Sequence, residues 1–206
     1  QLSGKLPLLQ LPTDQPYPVV QSYYGHSQGF ALDAVLIDKL RSIGGEETTL
    51  YTILLAAFYI LLARYSGQED ILIGSPISNR TRDEFMHSVG DFSDVVVMRA
   101  DLTSNPTVAD LLSQVQRTVR NGLFYADYPF DLLLGELDYQ RDPRRSPVYQ
   151  VLFNMPQANS PTLNKFAPFL IPFPGPVEVE FGGLHLQPFY LYVLEAPVEL
   201  TLDIWE

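Results

Sequence analysis

From Leu50 to Ala63 the chain reads LYTILLAAFYILLA, with Thr52 its one strongly polar side chain, so apolar groups face every direction of a 3.6-residue spiral. Such a helix must be covered on all sides. It falls short of the roughly 18 to 20 apolar residues that cross a bilayer, and Arg64, Gly67, Glu69 and Asp70 follow directly, so the pattern predicts a core helix. Thr48 or Thr49 is placed to cap it, since either hydroxyl can take an orphan backbone N–H. Ile71 to Ile77 then resumes as an apolar run broken by Gly74 and Pro76, which predicts a strand of about four or five residues before a turn. Val95 to Met98 places four apolar side chains in succession, three of them β-branched, and predicts a strand buried on both faces and closed by Arg99.

Thr107 to Val119 reads as an amphipathic helix. Thr107 and Asp110 stand in capping-box spacing, Val108, Leu111, Leu112, Val115 and Val119 mark one stripe, and Gln114, Arg117 and Arg120 occupy the other face. A short helix is expected from Pro129, whose missing N–H costs nothing there, through Leu132, Leu133 and Leu137, weakened by Gly135. Another is expected over Ala34 to Ile43, stopped by Gly44 and Gly45. Further strands are predicted at Gln28 to Leu32, Val148 to Phe153, Val177 to Leu186 and Val198 to Trp205, the last alternating apolar and polar positions. Leu6 to Val20 carries Pro7, Pro12, Pro16 and Pro18 and reads as a linker laid over a surface, because it cannot supply regular ladder bonds. Pro156 to Pro176, with Phe166, Phe169 and Phe173 among prolines, reads as an ordered apolar loop or a cover. These elements define an α/β fold class, a mixed β-sheet packed with helices.

At 206 residues the chain supports one core and too little for two comfortable domains. The net charge of −11 disfavours attraction to nucleic acid or an anionic membrane, so neither is expected as a partner. Absence of cysteine excludes disulfides, thiolate zinc sites and a Cys nucleophile, and it suits a reducing, cytoplasmic location. His26, His87 and His185 are far apart and in no metal-ligand spacing, so no metal site is expected. There is no dinucleotide fingerprint, phosphate-cradling loop or nucleophile elbow. No signal segment opens the chain, and the start at Gln1 reads as a piece of something longer, expected to be truncated after the Val198 to Trp205 strand as well.

Five segments carry a resemblance. Leu11-Pro12-Thr13-Asp14-Gln15-Pro16 resembles LPTD-x-P, and Tyr65 to Asp70 with Ile73-Gly74-Ser75-Pro76 resembles RYSGQEDI-x-x-GTP. Val89-Gly90-Asp91-Phe92-Ser93-Asp94 falls where IG-x-FVNT is usual, Tyr125 to Asp131 resembles HQDYPFE, and Arg141 to Gln150 resembles RD-x-SRNPLF. In this order they are similar to the C-terminal half of the condensation domains of nonribosomal peptide synthetases, the family that joins two carrier-bound acyl groups through an amide bond. The resemblance implies a chloramphenicol-acetyltransferase-like half, with residues 1–20 as a proline-rich lead-in and 21–206 as the C-terminal subdomain. It implies an active-site tunnel shared with an N-terminal subdomain that bears HH-x-x-x-DG, and this chain has no adjacent histidine pair. No catalytic residue is therefore assigned here.

The resemblance further implies upstream and downstream carrier proteins as partners. No cofactor is bound directly; phosphopantetheine arrives on the carriers. Gly90, Asp91, Phe92, Ser93 and Asp94 become substrate-channel candidates, with a structural turn as the alternative for Asp94 and packing for Phe92. Arg141, Arg144 and Arg145 become carrier-docking candidates, with ion pairs to local carboxylates as the alternative. Ser93 and Asp94 replace the usual Val and Asn, Tyr125 replaces the motif's His, and Gly90-Asp91-Phe92 resembles heterocyclization relatives. Three functions stay open: amide-forming condensation, heterocyclization, and a noncatalytic carrier-docking scaffold.

Overall fold

Helix α2 (Leu50–Ser66) forms the centre of the fold. Thr49 is its cap, its hydroxyl accepting from the Thr52 N–H, and Gly67 ends it in the left-handed conformation with its N–H on the Ala63 carbonyl. Eight of its side chains are buried, among them Thr52, Leu55, Phe58 and Tyr59. The computed structural model describes residues 2–45, 47–80, 82–85, 87–137, 139, 141–156, 166, 169, 177–189 and 195–205. Nearly all of the Pro156 to Pro176 stretch lies outside these residues.

The sheet that α2 covers has four strands in the order β2, β1, β3, β6. β1 (Asp70–Ile77) pairs antiparallel with β2 (Asp94–Asp101) from Asp70 opposite Asp101 to Ile77 opposite Asp94. β1 is thus eight residues long, against the expected four or five. A partner along its whole length outweighs the local effect of Gly74 and Pro76. Its other neighbour, β3 (Val151–Asn154), runs parallel to it and to β6 (Leu200–Asp203). β2 lies at the edge of this order and is covered unevenly: Val97, Met98 and Ala100 are buried, whereas Val95 and Val96 are half-buried.

Gly74 is where two of the motif-bearing segments touch. A Cβ built there would stand 2.8 Å from Tyr149 Cδ2 and 2.9 Å from Leu152 Cδ2, so a side chain must displace both. Gly74→Ala is expected to lower the stability by about 1 to 3 kcal/mol through overpacking. Equilibrium urea unfolding checks this, and an unchanged midpoint would show that Tyr149 yields freely.

α1 (Ala34–Gly44) starts at an Asp33 cap and buries no side chain. α3 (Val108–Phe124) packs on β2 and α2, its N-terminus closed by Thr107, which accepts from the Asp110 N–H and donates to Asp110 Oδ2 at 2.6 Å. α4 (Phe130–Glu136) follows Pro129.

Four further strand expectations change. Gln28 to Leu32 forms no strand; Phe30 and Leu32 are exposed, so the stretch has no apolar face buried to hold it extended. Val148 to Phe153 narrows to β3, because Val148 has φ 65° and Tyr149 donates to the Pro147 carbonyl at 2.7 Å, a tight turn that cannot continue a ladder. Val177 to Leu186 folds into a hairpin, β4 (Val179–Phe181) and β5 (Leu184–Leu186), joined by Gly182 and Gly183 at φ 60° and 78°. Two successive left-handed residues match the right-handed twist of paired strands. The last strand likewise contracts from Val198 to Trp205 to the four residues of β6 that pair with β3.

Candidate functional site

Asp94 opens β2 and reaches the start of α4. Its Oδ1 accepts from the Val95 N–H at 2.7 Å and its Oδ2 from the Phe130 N–H at 3.3 Å. Pro129, at the cap position, offers no side-chain acceptor, so the Asp94 carboxylate takes one of the orphan donors of α4. The Phe130 ring lies 5.5 Å from the Tyr149 ring, and Phe130 and Val148 are buried with Leu72 and Val97 in a second apolar cluster. Burial pushes the Tyr149 hydroxyl pKa up, and the Asp94 and Asp131 carboxylates add to the rise. Gly74, Asp94, Phe130 and Tyr149 thus bring four of the five family-like segments to one place.

Gly90 to Ser93 forms the turn in front of β2. Gly90 has φ 157°, and Asp91 Oδ1 accepts from the Ser93 N–H at 2.9 Å. Hydrogen bonds from Ser93 hold the exposed Asp91 carboxyl below the usual carboxylate range, and Arg80 contributes to this. Gly90, Asp91 and Ser93 are exposed, while Phe92 is half-buried, its ring 5.3 Å from Phe85.

The three arginines separate by environment. Arg141 is exposed. Arg144 grips Asp142 as a fork, Nε to Oδ1 and Nη2 to Oδ2, both at 2.8 Å, and that guanidinium lowers the Asp142 pKa to about 2. Arg145 points inward, with a side chain 5% exposed: Nε donates to Glu199 Oε1 at 2.5 Å, and Nη2 to the Leu9 carbonyl at 2.5 Å and to the Tyr17 hydroxyl at 3.0 Å. Its charge is used within the fold, so of the three arginines only Arg141 and Arg144 are exposed.

The lead-in is likewise part of the fold. Leu9 is 2% exposed, its N–H donating to Gln150 Oε1 at 3.0 Å. Gln68 accepts from the Gln10 N–H at 2.6 Å and donates to the Leu8 carbonyl at 3.0 Å. One side-chain amide thereby supplies a donor and an acceptor in place of a neighbouring strand, which the prolines on either side would interrupt. Arg99, paired with Asp70 through two bonds of 2.8 and 2.7 Å, holds the Ser3 carbonyl at 3.1 Å. The lead-in and the Arg141 to Val148 loop together line an open groove of about 1470 Å³.

His185 Nδ1 lies 3.1 Å from Glu178 Oε1, both exposed. Among the described residues no cluster of His, Asp or Glu has the arrangement of a metal site, and no helix is long and apolar enough to cross a membrane.

A mixed α/β sheet, a lead-in strapped across it and a turn at the head of β2 define the C-terminal half of a condensation-domain-like fold. The chain belongs to the Condensation domain family, which it matches over residues 1–169. It is 46% identical over 154 residues to one of the linear gramicidin synthase proteins of Brevibacillus parabrevis, covering 74% of this chain and 3% of that protein. Similarity to bacitracin synthase 2 of Bacillus licheniformis is 35% over 202 residues, 98% of this chain and 7% of the relative. The chain thus spans a small fraction of these synthases.

Among solved structures, a four-domain nonribosomal peptide synthetase bound to AMP and glycine superposes with a TM-score of 0.87 at 23% identity, over 96% of this chain and 15% of that one. The X-domain from teicoplanin biosynthesis, solved in complex with OxyB, gives 0.67 at 28% identity, over 78% of this chain and 36% of that one.

Sequence reasoning missed Arg80, Gln68 and Gln150 as organisers. Gln68 and Gln150 stand inside the family-like segments, but the lead-in atoms they bond are 58 to 141 residues away, so no local signal marked them. For Arg80 there was none, because its partners are backbone carbonyls.

Proposed function

We propose that this chain supplies the C-terminal wall of a condensation domain that forms an amide bond between carrier-bound donor and acceptor groups. Residues 1–20 serve as the lead-in and 21–206 as the subdomain. It packs against an N-terminal subdomain in the chloramphenicol-acetyltransferase manner, with the reaction tunnel between them. The observation that carries this reading is an identity of 34 to 46% to peptide synthases, in a chain without an adjacent histidine pair.

Proton transfer then belongs to the HH-x-x-x-DG histidine of the other half. The contribution of this half is geometric. Gly90 to Asp94 line the channel and help align amine and thioester carbonyl, which lowers the barrier by removing the search for orientation. Asp94, with one oxygen on the Phe130 N–H, fixes that wall against α4. Arg141 and Arg144 face the carriers, whose phosphopantetheine arms deliver both reactants.

The test mixes carrier-loaded donor and acceptor with this chain alone, and with this chain joined to an N-terminal subdomain bearing HH-x-x-x-DG, and reads amide product by mass spectrometry. Product at the uncatalysed level alone and well above it in the joined form is expected. Amide made by this chain alone would overturn the division of labour. A thiazoline or oxazoline product would establish the cyclization reading suggested by Gly90-Asp91-Phe92. A joined form that binds carriers without turnover would favour a scaffold, the role for which the likeness to an OxyB-bound X-domain speaks.

A further inference from the structure

Arg80 follows β1 and precedes the Gly90 turn by ten residues. We propose that Arg80 is the positioning residue of the Gly90–Asp94 turn, holding it in the orientation in which it faces the substrate path; this rests on the placement of that turn in the tunnel.

One guanidinium gathers the whole segment. Nη1 donates to the Ser88 carbonyl at 3.0 Å and to the Phe85 carbonyl, and Nη2 donates to the Gly90 carbonyl at 2.9 Å. The guanidinium carbon stands 4.2 Å from the centre of the Phe92 ring. Three carbonyls and a ring face locate the turn relative to the end of β1 much as three points locate a rigid body. Among the described residues, the other hydrogen bonds of 84–93 are local: the Phe85 N–H to the Arg82 carbonyl at 3.0 Å, Ser88 to the Phe85 and Glu84 carbonyls, and the Ser93 N–H to Asp91. They shape the segment, and none of them reaches back to β1.

The chemistry is particular to arginine. A planar fork presents donors in two directions and a flat face to an aromatic ring at the same time. A lysine ammonium at the same place keeps the charge but reaches fewer carbonyls and offers no face to Phe92. Asp91, whose carboxyl Arg80 helps to hold ionised, gains a nearby cation from the same clamp.

The experiment places Arg80→Lys and Arg80→Ala in the intact condensation domain that contains this chain. It measures amide hydrogen exchange over 84–93 together with the rate of amide formation against acceptor concentration. Both variants are expected to speed exchange at the Ser88 and Ser93 amides by about tenfold or more, the scale of one or two lost charge-assisted hydrogen bonds, while Ile73 and Phe153 in the sheet stay protected. The kcat/KM for the acceptor is expected to fall by about tenfold, since a displaced wall costs alignment, and lysine should not rescue it. Unchanged exchange in Arg80→Ala overturns the proposal directly.

Phe92→Leu and Asp94→Asn separate the two ways of failing. If these leave turnover unchanged while exchange responds to Arg80, the placement of the turn in the path is what fails, and the proposal falls with it. If they alter turnover and the Arg80 variants do not, Arg80 itself is not the positioning residue.

Discussion

Arg145→Ala is expected to destabilise the protein by about 3 to 5 kcal/mol, the cost of leaving a buried charge without its partner. The substitution strands Glu199, whose side chain is 15% exposed, and removes the donors to the Leu9 carbonyl and the Tyr17 hydroxyl. Tyr17 closes the circuit by donating to Glu199 Oε2 at 2.8 Å while its ring lies 4.5 Å from the Arg145 guanidinium carbon. Three distant parts of the chain therefore lose their common point at once: the lead-in, the motif loop and the approach to β6.

Urea unfolding of single and double variants checks this. Arg145→Met combined with Glu199→Leu should recover much of the loss, because the cost lies in the unpaired charge more than in the missing pair. The neighbouring Arg144→Ala should leave the midpoint where it is, since its fork with Asp142 is exposed to solvent. An Arg145→Ala protein as stable as the parent would show that the interior at this point admits water.

Phe153→Ala is expected to cost a similar amount, about 3 to 5 kcal/mol, from lost transfer energy plus the cavity it leaves. The ring is fully buried, meets Tyr51 edge-on at 5.1 Å and lies 5.9 Å from Phe58, so it joins β3 to two turns of α2. Its carbonyl accepts from Ser75 Oγ at 2.9 Å, and Ser75 pairs with the Tyr51 hydroxyl at 2.7 Å, so a polar relay tightens the same junction. Phe153→Leu should lose less, because it refills part of the volume. A denaturation midpoint within error of the parent for Phe153→Ala would mean that the surrounding side chains collapse into the space.

The helices were legible because their signals are local. The Thr49 cap, the apolar run behind it and the Gly67 stop all lie within one element, and Thr107 caps α3 at the spacing expected, although Asp110 answers through the Thr107 hydroxyl and not through its backbone N–H. The hairpin at Gly182 and Gly183 had a readable signal as well, two glycines between apolar runs, and the single strand expected there overlooked it. Strand lengths were less legible. β1 extends past Pro76 because β2 pairs with it to the end, and nothing in the eight residues themselves records that partner.

The candidate site divides the same way. The turn at Gly90 to Asp94 was found from its motif, but its attachment through Arg80, and the reach of Asp94 to the Phe130 N–H 36 residues away, were not. Arg141, Arg144 and Arg145 were equivalent as letters. The fold makes one exposed, one a surface fork and one an interior hub.

By itself the order of residues determined the class of fold, the helices, the family-like segments and the absence of a histidine pair, because each depends on side-chain type at short spacing. Tertiary structure alone decided how far strands run, which arginine is buried, and that the proline-rich lead-in is strapped down by Gln68, Gln150 and Arg145. The straps of the lead-in join residues 58 to 141 apart, and an electrostatic or hydrogen-bonding group acquires its role only when folding removes the water that otherwise satisfies it.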